Sequence, residues 1–306
     1  MKLEQLRLQQ YRSYEECTVA WHPRLNIITG QNAFGKTNLL EAIAYLSLGN
    51  SFRGGRDYEL IQWEQPFFYL EAKVSTPFGL RKLSCGCDRE KKKIWQLDGV
   101  AKKTFSPVAG VLKTVFFTPD DLWLVKSAPS YRRDFLNQQM IQLYPEYYLT
   151  WNRYQKALRQ RNEMLKQCRG RLPEPELIAA WDESLAASGA FIIKKREEMV
   201  RQLTPLANQL QQAISGGKET ISLEYQTILP AQEVEDLSKE GIQDELLAQL
   251  AAHLRDDLLR GVTTVGPQRD DLLISINGQT AKEYGSQGQQ RTAALALKLS
   301  QVELVW

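Results

Sequence analysis

The stretch Leu25–Ile43 constrains this chain more than any other. Within it Gly30, Gly35, Lys36 and Thr37 stand at the spacing G-x-x-x-x-G-K-[ST] of a phosphate-binding loop. The spacing has a mechanical reason. Gly30 and Gly35 let the backbone turn, so that the N–H groups of Gln31, Asn32, Ala33 and Phe34 between them aim inward at a phosphate chain. Lys36 brings a mobile positive charge to the β- and γ-phosphates, and Thr37 a hydroxyl for Mg²⁺. The helix starting near Lys36 adds its positive dipole end. Leu25–Thr29 reads as a short buried strand, and Leu39, Ile43 and Leu46 as the apolar stripe of an amphipathic helix. Strand, loop and helix in that order set the match apart from a chance hit in a glycine loop. Lys36 and Thr37 are the candidate catalytic residues, Thr37 the candidate metal ligand, and ATP with Mg²⁺ the expected cofactors.

A chain of 306 residues suggests about two domains, or one core with a large insertion. Its net charge of +3 is too small to argue nucleic-acid binding, so local clusters must carry that case. The cysteines Cys17, Cys85, Cys87 and Cys168 are scattered, and His22 and His253 are the only histidines, which argues against a zinc site. Scattered thiols without a signal peptide fit a reducing cytoplasm, and no apolar run approaches the roughly 20 residues of a membrane span.

Met1–Gln9 and Cys17–Trp21 read as a hairpin leading into the loop strand. Arg12, beside its turn, is either a phosphate contact or a solvated turn arginine. Phe67–Ser75, Leu80–Cys87 and Lys93–Leu97 form an antiparallel meander, with Lys91, Lys92, Lys93, Lys102 and Lys103 solvated at its turns. Leu112–Thr118 reads as another buried strand. From Glu146 to Ile214 the apolar positions alternate at spacings of 4 and 3, the pattern of a helical hairpin packed like a short coiled coil. Its turn is Gly170–Pro175, and Pro205 is expected to end or kink the second helix near Leu203. Arg161 and Lys195 intrude on the repeat and predict a thin, partly wet seam. The polar outer faces favour a protruding arm over two core helices. Between Arg153 and Arg171 seven basic residues face one acidic residue, a local +6 that suits phosphate contacts or a solvated face. Near the C-terminus, Ser286 reads as the cap of a last helix with the stripe Leu295, Leu299, Val302 and Trp306.

The order of these features resembles the SMC-like ABC ATPases, and more closely the RecF family of bacterial DNA-repair and recombination proteins. The residues that carry it are Gly30–Asn38, Ser51-Phe52-Arg53, Phe117–Leu122, Ser130–Arg133, Gly266–Leu272 and Ser286–Thr292. The resemblance implies an α/β fold, an ABC-type P-loop ATPase head with an antiparallel β-subdomain and a helical-hairpin arm. It implies a head lobe over 1–145, an arm over 146–258 and a return to the head over 259–306. It also implies an ATP-dependent homodimer in which Ser286, Gly288 and Gln289 bind, in trans, the nucleotide held at Gly30–Thr37. The implied partners are DNA at junctions of single strand and duplex, the proteins RecO and RecR, and through them RecA; no membrane is involved.

Two departures stand out. The family's acidic Walker B strand follows the signature helix, whereas this sequence stops at Trp306 within that helix, so nucleotide binding with weak or absent turnover is expected. Ala33 and Phe34 occupy loop positions usually held by small residues or glycine. A P-loop small-molecule kinase and a scaffold with a vestigial nucleotide site are the alternatives. The kinase needs neither the helical hairpin nor the Ser286 motif.

Overall fold

The computed structural model describes residues 1–168 and 170–305. The chain groups into two compact units, Met1–Phe116 with Ile141–Pro145, and Phe117–Met140 with Glu146 onward.

The first unit is built on a six-stranded antiparallel sheet. Its strands are β1 (Lys2–Tyr11), β2 (Tyr14–Ala20), β3 (Phe67–Thr76), β4 (Gly79–Asp88), β5 (Lys93–Leu97) and β6 (Val100–Lys102), in the order β2-β1-β3-β4-β5-β6. The expected hairpin and meander both form. At the β5–β6 turn Asp98 and Gly99 take φ of 53° and 80°, the left-handed pair a two-residue hairpin requires. Helix α1 (Lys36–Leu48) packs on this sheet. Its Tyr45 stacks on Trp95 at 5.9 Å and meets the edge of Phe68 at 5.6 Å, above the buried Leu6, Leu8 and Leu70. Lys93 is no solvated turn lysine. Its Nζ donates to the Gly49 carbonyl and Asp57, 4.6 Å above the Tyr45 ring.

Two predicted strands do not form. Residues 25–29 are irregular, with Leu25 and Ile27 at the surface, and 112–118 are irregular too. Backbone polar groups of a strand need a ladder partner, and among the described residues none pairs with either segment. Thr114 instead bonds to side chains distant in sequence: its N–H donates to the Gln142 side chain and its hydroxyl to Ser47.

The second unit holds α2 (Trp123–Lys126), α3 (Pro129–Leu143), α4 (Pro145–Cys168), α5 (Pro175–Ser215), β7 (Ile221–Gln226), α6 (Ala231–Asp236), α7 (Lys239–Ala252), α8 (Leu254–Arg260), β8 (Asp271–Ile276), β9 (Gln279–Thr280), α9 (Ala281–Tyr284) and α10 (Gln287–Val305). Strands β7, β8 and β9 form a small antiparallel sheet, closed by the left-handed Asn277-Gly278 turn. The helical hairpin is α4 and α5, but it does not stand free, because α5 packs along α7, β7 and α10. Nor does Pro205 break α5, which runs to Ser215. Pro205 has no N–H to donate, but Leu203, Ala207 and Gln211 are buried on either side, and that packing holds the helix together.

The seam is dry where a wet one was expected. Arg161 is fully buried and donates to Asp182 (2.6 Å), Asp257 (2.6 Å) and the Thr263 hydroxyl (2.9 Å). It therefore leaves the basic stripe, of which Arg153, Lys156, Arg159, Lys166 and Arg171 are exposed; Arg169 lies outside the described residues. The buried face of α10 is also not the expected one. Leu299 is exposed, whereas Ala293, Ala296, Leu297, Ser300 and Gln301 are buried. The small side chains of Ala293, Ala296 and Ser300 suit the close packing of α10 on α5; Trp306 lies outside the described residues. Among the described residues no helix is long and apolar enough to cross a membrane.

Candidate nucleotide-binding site

In the first unit the loop 30–35 runs into α1 with three left-handed or positive-φ residues: Gly30 at 149°, Ala33 at 69° and Gly35 at 86°. Gly35 is required twice over. Its φ suits glycine, and a Cβ there would stand 2.6 Å from the Ser13 hydroxyl and 3.1 Å from the Tyr14 ring. The β1–β2 turn thus braces the loop from behind. Tyr14 donates its hydroxyl proton to the Gly35 carbonyl (3.2 Å), and Asn38 in the first turn of α1 donates to Ser13 (3.0 Å). Ala33 carries the left-handed strain of a Cβ. Phe34 is 71% exposed.

Lys36 curls over the loop, its Nζ donating to the carbonyls of Gly30 (2.7 Å) and Gln31 (2.6 Å). The ammonium therefore rests on the carbonyls of the loop, at the place where a phosphate chain would need a cation. Gln31, Asn32 and Thr37 are exposed. The Thr37 hydroxyl suits a first ligand for Mg²⁺, which takes few protein ligands and fills its shell with water and phosphate oxygens. Among the described residues no cluster of acidic, histidine or cysteine side chains would hold a metal on its own.

Arg12 is neither solvated nor free. It makes a two-pronged contact with Glu41 of α1, Nη2 to Oε1 at 2.7 Å and Nε to Oε2 at 3.1 Å. That hydrogen bond holds its guanidinium more firmly charged. Glu41 is fully buried and also accepts from the Ser51 hydroxyl (2.5 Å), with Arg53 3.6 Å away. Arg53 in turn donates to Asn38 (3.1 Å). One carboxylate behind the loop therefore gathers two arginines from two separate turns. Sequence reasoning missed Glu41; the available signal was a carboxylate on the buried side of an otherwise apolar helix.

In the second unit Ser286, Gly288 and Gln289 open α10. The Gln289 N–H donates to the Ser286 hydroxyl (3.2 Å) and the Ser286 N–H to the Gln289 side chain (2.9 Å), a reciprocal capping box. Ser286 and Gly288 are exposed, and a Cβ on Gly288 would meet only Ser286 at 3.8 Å. The N-terminal end of this helix carries the positive end of its dipole, which favours an anion. Elsewhere in the unit, Asp270 of the Gly266–Leu272 stretch is buried between Tyr225, Thr227 and Arg196. Burial raises its pKa above the usual carboxylate range. Asp271 pairs with Arg132 through both oxygens (2.6 and 2.8 Å). These acids brace the unit.

Residues 2–303 match the family model described as the RecF/RecN/SMC N terminal domain. The DNA replication and repair protein RecF of Alkaliphilus oremlandii is 38% identical over 305 residues, covering 100% of this chain and 82% of the relative. The RecF of Desulforamulus reducens is 39% identical over 306 residues, covering 99% and 81%. A solved structure titled as the recombination mediator protein RecF-ATP in the RecFOR pathway aligns with a TM-score of 0.92 at 33% identity, covering 99% of this chain and 80% of that one. An Smc head, 13% identical with a TM-score of 0.53 and covering 99% and 77%, shares the fold. The head fold expected from the P-loop, hairpin and Ser286 helix is thus the fold of RecF and SMC ATPase heads, and the chain belongs to the RecF family of DNA replication and repair proteins.

Proposed function

We propose that the chain binds Mg·ATP at Gly30–Thr37 and, by dimerising on it, acts as a clamp on DNA in recombinational repair. The observation that carries the reading is the braced loop, in which Gly35 is wedged against Ser13 and Tyr14 while Lys36 lies across the loop carbonyls. RecF relatives named for DNA replication and repair, and a RecF-ATP structure titled to the RecFOR pathway, support it. The exposed capped start of α10 supplies the second half of the composite site. In a dimer Ser286, Gly288 and Gln289 meet the γ-phosphate held by the other copy, because the N-terminal end of a helix attracts an anion and Gly288 leaves room for close approach. Exposed Arg153, Lys156 and Arg159 on α4 are available for DNA phosphates. The finer role is recognition of the junction of single strand and duplex and loading of RecA with RecO and RecR.

Sedimentation with and without a non-hydrolysable ATP analogue tests the reading. Dimers that form only with the analogue, and that bind duplex DNA with steep salt dependence, are the expected result. Ser286→Arg blocks the dimer and leaves nucleotide binding by the monomer intact. A protein that binds the analogue yet stays monomeric on DNA would refute the clamp.

A further inference from the structure

Helix α10 carries Ser286 and Gln289 at its start, and a buried lysine, Lys298, in its second half. We propose that Asp121 is a positioning residue for the composite nucleotide site: through its ion pair with Lys298 it sets the tilt and roll of α10, and so the place where Ser286 and Gln289 meet the γ-phosphate held by the other copy. This role rests on the reading of α10 as the second half of that site.

A lysine taken out of water needs a counter-charge, and it goes where the counter-charge is. Lys298 is 8% exposed, and its Nζ stands 3.1 Å from Asp121 Oδ1. Among the described residues Asp121 is the one carboxylate paired with it. Asp121 cannot follow the lysine if α10 shifts, because its other oxygen is already committed. Oδ2 accepts from the Thr118 N–H (2.5 Å) and from the Thr118 hydroxyl (3.2 Å), a capping box that closes the short helical turn Pro119–Leu122. One carboxylate thus fixes the turn with one oxygen and the helix with the other.

The apolar face of α10 does not fix its orientation by itself. Ala293, Ala294 and Ala296 are buried there, and contact between small apolar groups has no preferred direction. The directional contacts are polar. Gln211 of α5 donates to the Thr292 hydroxyl (3.1 Å), and Gln139 of α3 donates to the Gln301 carbonyl (3.2 Å). Lys298 and Gln301 lie one turn apart on the same side, and Thr292 stands about 120° round the helix from Lys298, so α10 is gripped on two faces. Lys298 lies 12 residues beyond Ser286. That is about 18 Å along the axis, so a tilt of about 5° at Lys298 carries the helix start by about 1.5 Å. A hydrogen bond tolerates a range of only about 0.5 Å. The contact at Asp121 therefore decides whether Ser286 reaches its anion.

The test compares wild type, Lys298→Met, Lys298→Arg and Asp257→Asn in two assays. Calorimetry reads binding of Mg·ATP by the monomer, and sedimentation reads the dimer dissociation constant with a non-hydrolysable ATP analogue. Methionine keeps the length and apolar stem of Lys298 and removes its charge, while Asp121 keeps its bonds to Thr118. Lys298→Met should leave Mg·ATP binding by the monomer unchanged and weaken the dimer. A hydrogen bond to a charged group contributes roughly tenfold or more in affinity, and with two composite sites per dimer the loss is roughly hundredfold. Lys298→Arg keeps the ion pair and should restore most of it. Asp257→Asn lowers the melting temperature through a contact remote from Asp121 and should leave dimer affinity unchanged. If Lys298→Met melts too low for the assay, Asp121→Asn, which keeps an acceptor for Thr118, is read in its place. A dimer as tight in Lys298→Met as in wild type overturns the role, and so does an equal weakening by Asp257→Asn, which would make the effect one of general stability. If wild type binds Mg·ATP but forms no dimer with the analogue, the composite site itself falls, and the role of Asp121 with it.

Discussion

Replacing Glu41 by glutamine tests how the nucleotide loop is held. The carboxylate is fully buried and meets Arg12 through both oxygens, at 2.7 and 3.1 Å, while Ser51 donates to it at 2.5 Å. Glutamine keeps the volume and an acceptor for Ser51. It offers one oxygen where Arg12 needs two, and turns an N–H₂ toward a guanidinium that has only donors. A hydrogen bond to a charged partner contributes about 1.5–3 kcal/mol. The Arg12 side chain is 26% exposed and that of Arg53 47%, so solvent screening reduces the charge component. A loss of about 2 kcal/mol follows, or roughly 6–12 °C in melting temperature for a unit of about 100–150 residues. Arg12→Ala strands the same carboxylate and costs a similar amount. Because both substitutions break one contact, the double variant falls short of their sum by about 1–2 kcal/mol. Thermal melts of wild type and the three variants by circular dichroism supply the cycle. Additivity within about 0.5 kcal/mol would show that the two groups do not hold each other, and the account of the braced loop would fail.

Three further outcomes are expected. Asp257→Asn leaves the buried Arg161 with Asp182 as its only counter-charge among the described residues, at a cost of about 3–5 kcal/mol; a melt unchanged from wild type would contradict the dry seam. Ser286→Ala removes one arm of the α10 capping box and lowers stability by about 1 kcal/mol, measured by urea unfolding, whereas Ser286→Asp keeps the cap. The Asp98 carboxyl is held below its usual range by the Lys82 backbone N–H and then by Arg81. Its contribution is therefore complete above the unfolded pKa of about 3.9 and fades as pH falls through the lower folded value. Asp98→Asn flattens the acid limb of the stability–pH curve, and identical limbs in the two proteins would refute the assignment.

What the sequence revealed, and what it hid, divides by the range of the interactions. The loop Gly30–Thr37, the hairpin at Asp98-Gly99, the turn at Asn277-Gly278 and the cap at Ser286 are written in residues a few positions apart. Their geometry follows from local dihedral preference and local hydrogen bonds. Arg161 was visible as a polar residue in an apolar repeat, but its fate depended on Asp182 and Asp257, 21 and 96 residues away. Periodicity records that a position faces inward; it does not record whether a counter-charge waits there. The same limit hid Glu41, whose partners Arg12 and Ser51 come from turns on either side of it in sequence.

Residues 25–29 and 112–118 show the opposite failure, in which a sound local signal is not enough. Both are β-branched or apolar runs of strand length, yet both lie irregular, with Leu25 and Ile27 in water. A buried strand exists as a member of a ladder and not as a property of its own residues. The β1–β6 strands form because each has an antiparallel neighbour a turn or a hairpin away, and these two segments have none among the described residues. That explains how the phosphate loop can be well shaped while the run leading into it is not. The loop is braced on its far side, by Ser13, Tyr14 and the Arg12–Glu41 contact, all anchored in the antiparallel sheet and α1. Nucleotide affinity should therefore respond far more to Tyr14→Ala, which removes the brace at Gly35, than to Ile27→Thr, which alters an exposed side chain. Calorimetric titration with Mg·ATP compares the two, and a larger loss for Ile27→Thr would place the support of the loop on its leading strand.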